Sequence, residues 1–208
     1  MRILIFGASI TQGFWDSEGG WVQRLRKFYD AKKISGEDDD PPTIFNMGVS
    51  GDSTNELLER FTPETEARNR YGNMAIVFSI GSNDCRTKAG KPFLDTDRYV
   101  ENLGKLLDQA HKYTDKILFV GLASCDEQKS NPVAWGDTGY TNERIWEFEQ
   151  ALRSFCEKNN VPMVKVFETF KEKNKKQSLI ADGIHPNDTG HELITSLVRP
   201  ELEKLLIY

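Results

Sequence analysis

The sequence predicts an α/β fold: a single domain over residues 1–208 in which helices cover both faces of a five-stranded parallel sheet, giving a three-layer αβα sandwich with flavodoxin-like strand order. Short apolar runs alternate with longer segments of helical period, as in β-α-β units. Several of the runs are apolar at consecutive positions, which is typical of buried parallel strands. The length of 208 residues also fits one domain better than two.

The five strands are expected at five short apolar runs. We predict strands over residues 2–6, 43–46, 74–80, 116–122 and 162–167. Consecutive apolar positions within these runs indicate strands that helices cover on both faces. Parallel strands joined by helices make right-handed connections, and this rule leaves few topologies, of which the flavodoxin-like order is the expected one.

The segments between the strands show the period of amphipathic helices. We predict helices over residues 21–33, 55–61, 99–113, 141–159 and 191–206. In the third of these, Val100, Leu103 and Leu107 share one apolar stripe, as a helix packed on a sheet requires. Pro200 predicts a kink in the last helix, because proline removes a hydrogen bond from a helix interior.

Three connections between these elements differ from the rest in composition or length. The acidic residues 36–42 are expected to form a surface loop rather than a metal site, because the side chains of three adjacent aspartates diverge. Residues 85–97 and 124–140 are predicted to be long loops. Loops beyond ~12 residues without structure of their own are usually functional or mobile, so we expect substrate specificity to be set there.

Composition and charge exclude several classes of protein. The 38% apolar and 28% charged fractions are those of a globular protein. The net charge is -5, and no face or tail is rich in lysine and arginine, so neither nucleic acid nor an anionic membrane is an expected partner. No apolar run approaches the ~18 residues of a membrane-spanning helix. The oligomeric state is left open.

The cysteines and histidines indicate neither a disulfide framework nor a metal site. Cys85, Cys125 and Cys156 form no CxxC pair, and their odd number, behind an N-terminus without an export signal, predicts reduced thiols in the cytoplasm. His111 and His191 fall in predicted helices and lack metal-ligand spacing, so structural or surface roles are expected. The chain also lacks the glycine pattern of a dinucleotide site and the lysine of a P-loop. No metal and no other cofactor is therefore predicted.

Small and polar residues follow four of the predicted strands, at the edge of the sheet where ligands of open α/β folds bind. The four blocks are residues 7–11 (GASIT), 48–51 (GVSG), 81–84 (GSND) and, after a further loop, 182–186 (DGIHP). Because the carboxyl ends of parallel strands meet at one edge, we expect the blocks to converge on a single site.

The chemistry that fits the four blocks is acyl transfer. A serine nucleophile needs a base, and the base needs a carboxylate that orients it; Ser9, His185 and Asp182 can fill these three roles. The negative oxygen that forms on attack needs fixed donors. The backbone N–H groups of Ser9 and Gly48 and the side chain of Asn83 can supply them.

Each block taken alone also has a purely structural explanation. A serine after a strand and a glycine is more often a helix cap or turn residue, and a glycine pair usually marks a turn. The sequences Asn-Asp and Asp-x-x-His are common in turns as well. The four blocks at four strand ends are much harder to explain jointly by turns alone, and this joint pattern favours a catalytic site.

The same blocks resemble those of the SGNH hydrolases, also called the GDSL lipase/esterase superfamily. The matching segments begin at residue 6 and end at residue 186, in the order that the family shows. The resemblance implies the SGNH hydrolase fold, with Ser9 as nucleophile, Gly48 and Asn83 in the oxyanion hole, and Asp182 and His185 completing the triad. One departure is Ala8, where the family name describes Asp; that Asp is not a triad member.

The sequence therefore predicts a serine esterase or acylhydrolase that cleaves a small-molecule carboxylic ester. A thioesterase, a lysophospholipase or an acyltransferase could use the same triad, and a non-catalytic flavodoxin-like binding module remains an alternative. The two long loops mix charged and aromatic residues, and Trp135 and Tyr140 are the predicted substrate contacts. Walls of this kind suit a short acyl group on a polar alcohol such as an acetylated sugar. Solvated surface is the competing explanation for these loops.

Overall fold

The computed structural model describes residues 1–207, and it alternates strands and helices along nearly the whole chain. The elements in chain order are β1 (Arg2–Gly7), α1 (Ser9–Gln12), α2 (Gly20–Ser35), β2 (Thr43–Gly48), α3 (Thr54–Arg68), β3 (Met74–Ser79), β4 (Thr87–Lys88), β5 (Lys91–Pro92), α4 (Thr96–Ala110), β6 (Ile117–Val120), α5 (Glu127–Ser130), β7 (Thr138–Gly139), α6 (Asn142–Asn159), β8 (Met163–Val164), α7 (Phe167–Lys176) and α8 (Asp188–Ile207).

The central sheet is parallel and has the strand order β2-β1-β3-β6-β8. Counting only these five strands, the order is 2-1-3-4-5, which is the flavodoxin-like order. In register, Gly7 at the end of β1 pairs with Gly48 of β2 on one side and with Ser79 of β3 on the other. The predicted fold class and topology are thus confirmed, and three of the predicted blocks begin at neighbouring strand ends.

Helices cover both faces of the sheet, and the side chains of β1 point alternately to one face and to the other. Ile3 and Ile5 pack with α2 and α8 in one apolar cluster. Leu4 and Phe6 point to the opposite face and pack in a second cluster with α3, α4 and α6. All four side chains are fully buried, as expected for a strand at the centre of a three-layer sandwich.

The last predicted strand, residues 162–167, is shorter than expected, and a helix follows it at once. β8 contains only Met163 and Val164 because it is an edge strand that pairs with two residues of β6. The backbone of Val166 is already helical, and α7 begins at the buried Phe167. A run of β-branched and aromatic residues predicted a longer strand, but tertiary packing overrides strand propensity here.

Three helices are longer than the sequence predicts, and α2 gains one residue at its start and two at its end. α3 continues past the predicted end at residue 61 to Arg68 and contains Pro63, which lies on the exposed side, where water can satisfy the carbonyl group that proline leaves unpaired. α8 begins at Asp188, three residues before its predicted start, and Pro200 lies inside it. The kink predicted at Pro200 stays a prediction.

The two segments predicted as unstructured loops form regular structure. β4 and β5 lie within residues 85–97, β7 lies within residues 124–140, and the three strands pair as a small antiparallel sheet in the order β5-β4-β7. The helix α5 also lies in the second segment. Two-residue strands show no periodicity, and Thr87 pairs with Gly139 across 52 positions, so local sequence patterns could not predict this sheet.

Candidate active site

Ser9 is held at the carboxyl end of β1 by a tight strand-to-helix turn. It is the first residue of α1, where backbone N–H groups have no acceptor within the helix. The turn is compact because Gly7 has no side chain: a Cβ atom there would lie 2.1 Å from Thr11 Oγ1 and 2.4 Å from the carbonyl oxygen of Ser79. The hydroxyl of Ser9 is therefore presented at the sheet edge on a rigid backbone.

Asp182 and His185 lie in a short loop between α7 and α8 that folds back on itself. Asp182 Oδ1 accepts hydrogen bonds from the backbone N–H groups of Ile184 at 3.1 Å and His185 at 2.9 Å. Gly183 has a φ of 116°, and a Cβ atom there would lie 2.9 Å from the backbone of Lys129. Glycine is required at position 183 by both the conformation and the close approach.

The three side chains form one hydrogen-bonded chain. The distance between Ser9 Oγ and His185 Nε2 is 2.8 Å, and that between His185 Nδ1 and Asp182 Oδ2 is 2.6 Å. Burial acts to raise the pKa of Asp182, but the hydrogen bonds from the backbone and ring of His185 outweigh it, and the net pKa is lowered. Asp182 therefore stays ionised and can stabilise a positive charge on His185.

The three predicted oxyanion donors are N–H groups of Ser9, Gly48 and Asn83, and they differ in the hydrogen bonds that they already make. Asn83 is buried, and its Nδ2 atom donates one hydrogen bond to the carbonyl oxygen of Asp52 at 2.9 Å, which leaves its second N–H. Gly48 N donates to Asn46 Oδ1 at 2.9 Å, so this N–H is already paired. Ser9 and Asn83 line the same small cavity.

Tyr140 lies behind Asn83 rather than open to solvent. It is 6% exposed, and its hydroxyl donates to Asn83 Oδ1 at 2.9 Å. Burial raises the pKa of Tyr140 to about 12, so the hydroxyl remains a donor. The phenol oxygen is thus hydrogen-bonded to Asn83. The predicted contact between Tyr140 and a substrate would therefore have to be made inside the cavity, whose wall includes Tyr140.

Aromatic side chains surround His185 at the mouth of the site. The ring of Trp135 is 57% exposed and stacks near His185, with 6.1 Å between ring centroids and an interplanar angle of 25°. The ring centroid of Phe14 lies 5.4 Å from that of His185. Trp15, which no sequence motif marks, donates its indole N–H to Asp182 Oδ2 at 2.6 Å.

A small cavity lies beside Ser9 and has a volume of about 40 Å³. Its apolar lining comes from strand ends, from the loop after β6, from α6 and from the loop between α7 and α8, and it includes Ile80, Leu122, Ala123, Ile145 and Ile184. Ser9, Asn83 and His185 complete the wall. The hydroxyl of Ser9 therefore borders an apolar space.

Arg60 was missed in the sequence, although it joins the first two blocks. From α3, its guanidinium donates to the carbonyl oxygens of Gly7 at 3.0 Å and Met47 at 2.9 Å, and to Asp52 Oδ2 at 2.6 Å. These are the carboxyl ends of β1 and β2 and the residue whose carbonyl group holds Asn83. No local pattern distinguishes Arg60 from other arginines of an amphipathic helix.

His111 and His191 lie outside the cavity beside Ser9, whereas Cys125 contributes to its wall. His191 is buried and bonds the backbone of Trp21 and Phe14, and His111 is paired with the exposed Asp115. Within the described chain, no three His, Cys, Asp or Glu side chains cluster as metal ligands. All three cysteines are free and buried. Across residues 1–207, every helix is too short or too polar to cross a membrane.

Comparison with known proteins assigns the chain to a family. A sequence profile of the GDSL-like Lipase/Acylhydrolase family matches residues 5–193. A human protein, isoamyl acetate-hydrolyzing esterase 1 homolog, is 25% identical over 226 aligned residues, which cover 98% of this chain and 82% of the human protein.

Solved structures share the fold at low sequence identity. The lipase/acylhydrolase from Enterococcus faecalis matches with a TM-score of 0.74 and 21% identity, over 98% of this chain and 95% of that one. The acetylxylan esterase Axe2 from Geobacillus stearothermophilus matches with a TM-score of 0.74 and 17% identity, over 97% and 93% of the two chains. The profile match over most of the sequence, together with the esterase relative, shows that the chain belongs to the GDSL-like lipase/acylhydrolase family and is a serine hydrolase that acts on esters.

Proposed function

We propose that this enzyme hydrolyses carboxylic esters of short acyl groups, with Ser9 as nucleophile, His185 as general base and Asp182 as the carboxylate that orients it. The main support is the unbroken hydrogen-bond chain from Ser9 Oγ through both ring nitrogens of His185 to Asp182 Oδ2. Acyl transfer requires a hydroxyl within reach of a base and a base held by a third group.

In the proposed mechanism, His185 Nε2 takes the proton of Ser9 as Oγ attacks the ester carbonyl carbon. The ionised Asp182 stabilises the imidazolium that forms and keeps Nδ1 protonated. His185 then gives the proton to the leaving alcohol, and an acyl group remains on Ser9. Water, activated by the same base, attacks the acyl-enzyme and releases the acid, which restores the hydroxyl of Ser9.

For the oxyanion hole we propose the backbone N–H of Ser9 and the second N–H of Asn83 Nδ2 as donors. Both are fixed before the substrate arrives, one by the strand-to-helix turn and the other by Asp52 and Tyr140. Fixed donors are effective because no reorganisation is needed as charge develops. A role for Gly48 would require its N–H to leave Asn46 Oδ1, so we rank it behind the other two.

The cavity beside Ser9 supports the preference for short acyl groups. Its volume of about 40 Å³ is far below the ~300–1,000 Å³ of pockets that hold drug-sized ligands, so it suits a small group. We expect an acetyl, propionyl or butyryl chain to fit this space and a long chain to exceed it. The human relative is named for the hydrolysis of an acetate ester, and Axe2 is an acetylxylan esterase, which agrees with a short acyl group.

On the alcohol side, we propose that Trp135 contacts the leaving group. Its ring is exposed and lies beside His185, the residue that must protonate the leaving oxygen. An exposed indole beside polar groups suits a ring-shaped polar alcohol such as an acetylated sugar, because ring faces stack while hydroxyl groups stay hydrated.

A chain-length series of aryl esters tests the proposed function. Values of kcat/KM should be highest for acetyl to butyryl esters and fall beyond, and Ser9→Ala should abolish turnover and labelling by a fluorophosphonate probe. Retained labelling in Ser9→Ala would disprove the role of Ser9 as nucleophile, and a maximum of kcat/KM at eight or more carbons would disprove the preference for short acyl groups.

The proposed contact with the alcohol is tested by Trp135→Ala. This variant should raise KM for an acetylated xylooligosaccharide more than for methyl acetate, and equal effects on the two substrates would contradict the contact.

A further inference from the structure

Trp15 has a backbone conformation and an exposure that are unusual for tryptophan. Its φ is 65°, in the left-handed region, where a Cβ atom meets the following carbonyl oxygen. Its side chain is 59% exposed, so burial of the ring contributes little to the stability of this conformation. Neither backbone preference nor the hydrophobic effect explains why a tryptophan is held here.

The indole N–H supplies the missing explanation. Trp15 Nε1 donates to Asp182 Oδ2 at 2.6 Å, and the same oxygen accepts the hydrogen bond from His185 Nδ1. The other oxygen, Oδ1, accepts two backbone N–H groups from the triad loop. The carboxylate of Asp182 is thus bound by four donors. Trp15 is the one among them that comes from outside the segment 182–185.

The loop around Trp15 is fixed on both sides, so the strained residue cannot relax easily. On one side, the carbonyl oxygen of Phe14 lies 2.9 Å from His191 Nε2 of α8. On the other side, Asp16 accepts two hydrogen bonds from Arg24 of α2, and Ser17 donates to Asp188. Strained conformations persist where the surrounding structure determines them, and they occur preferentially at functional sites.

We propose that Trp15 is a positioning residue of the triad, an inference that rests on the proposed function of Ser9, His185 and Asp182. Its N–H holds Asp182 so that Oδ2 faces His185 Nδ1, which in turn keeps Nε2 aligned with Ser9 Oγ. The terminal torsion of an aspartate has a broad energy profile, so an external donor is an effective restraint. Trp15 acts through Asp182 and does not contact the reacting atoms.

Trp15→Phe tests this role because it keeps an aromatic ring and removes the N–H. Loss of a hydrogen bond to a charged group predicts a decrease in kcat of about tenfold, with KM and the melting temperature close to wild type. Trp146→Phe is the matched control: this tryptophan is partly exposed and its ring contacts that of Phe167, away from the triad, so the kcat of this variant should not change. A wild-type kcat in Trp15→Phe, or a rise in KM alone, would overturn the proposal.

Trp15→Gly separates positioning from structural stabilisation. Glycine adopts a φ of 65° without strain, so this variant should melt at or above the temperature of Trp15→Phe, which lacks the same N–H, while its kcat falls at least as far. Wild-type kcat in Trp15→Gly would refute the role of the indole.

A double-mutant cycle with Asp182→Ala completes the test. When Asp182 is absent, Trp15→Phe should have no further effect on the residual kcat, because the donor acts only through that carboxylate. Equal losses in both backgrounds would contradict the proposal. If Ser9→Ala is inactive while Trp15→Phe is fully active, the proposed function stands and only this inference fails.

Discussion

The hydroxyl of Tyr140 provides a direct test of how Asn83, the proposed oxyanion donor, is held in place. Asn83 Oδ1 accepts from Tyr140, and one N–H of Asn83 Nδ2 donates to Asp52. These two contacts fix the rotation of the amide and leave the second N–H for the proposed contact with the substrate. Tyr140→Phe removes one oxygen atom, leaves the ring packed in the wall of the cavity, and frees one of the two contacts.

The expected magnitude follows from the buried acceptor that the substitution leaves unpaired. An unsatisfied buried group costs about 1–3 kcal/mol. If that cost appears in the transition state, kcat falls by about 5- to 150-fold. The loss should not exceed the roughly 10²–10³-fold that removal of a whole oxyanion donor costs, which is the expectation for Asn83→Ala. KM should change little, because the donor meets charge that develops after binding.

The assay is steady-state hydrolysis of an aryl acetate by wild type, Tyr140→Phe, Asn83→Ala and the double variant. Tyr29→Phe is the matched control, since the hydroxyl of Tyr29 is buried on the opposite face of the sheet and makes no hydrogen bond within residues 1–207. The double variant should be no slower than Asn83→Ala. A kcat for Tyr140→Phe within twofold of wild type, or a loss that multiplies with that of Asn83→Ala, would refute this account of the oxyanion donor.

Three further predictions concern the triad, a buried carboxyl group and the thiols. Ser9→Ala and His185→Ala should each remove nearly all turnover, and the double variant should be scarcely slower, since members of one catalytic unit are not additive; additive losses would contradict the shared mechanism. Burial raises the pKa of Asp84 to about 6 despite its hydrogen bonds with Thr54, so the wild type loses stability as pH rises from about 4 to 6 while this carboxyl ionises. The melting temperature of Asp84→Asn relative to wild type should therefore rise over that range, and a constant difference would contradict the buried charge. Burial also raises the pKa of Cys125 to about 11 and that of Cys156 to about 12, and it raises the pKa of Cys85, so thiol reagents at neutral pH should label the cysteines only after unfolding. Rapid inactivation of the folded enzyme by such a reagent would show an exposed thiolate.

The fold could be predicted because its determinants are local. Each central strand is a short apolar run, and each long helix shows an apolar stripe, so the alternation is visible in the sequence. The predicted strands and loops were wrong where the strands are very short. β8 has two residues and the small sheet is built from two-residue strands, and such elements are stabilised by their partners rather than by their own sequences.

The candidate triad could be proposed from the sequence for a different reason. Ser9 and Asn83 follow strands of a parallel sheet, so the topology alone brings them to one edge. His185 and Asp182 are three residues apart and orient each other within one loop. The supporting residues have no such signal. Trp15 reaches Asp182 across 167 positions, and Tyr140 reaches Asn83 across 57, so each contact is set by the tertiary structure alone.

The two sides of the proposed substrate site also differ in which structural elements supply their residues. Several cavity residues come from strand ends and from α6, where a change in volume disturbs the packed core. Trp135, at the mouth, lies in the segment between α5 and β7 and is mostly exposed, so it can be replaced at little cost to stability. Substitutions should therefore seldom change the preference for the acyl group, whereas substitutions at a few loop residues can change the preference for the alcohol. For this reason the blocks in this sequence indicate ester hydrolysis without indicating a single substrate.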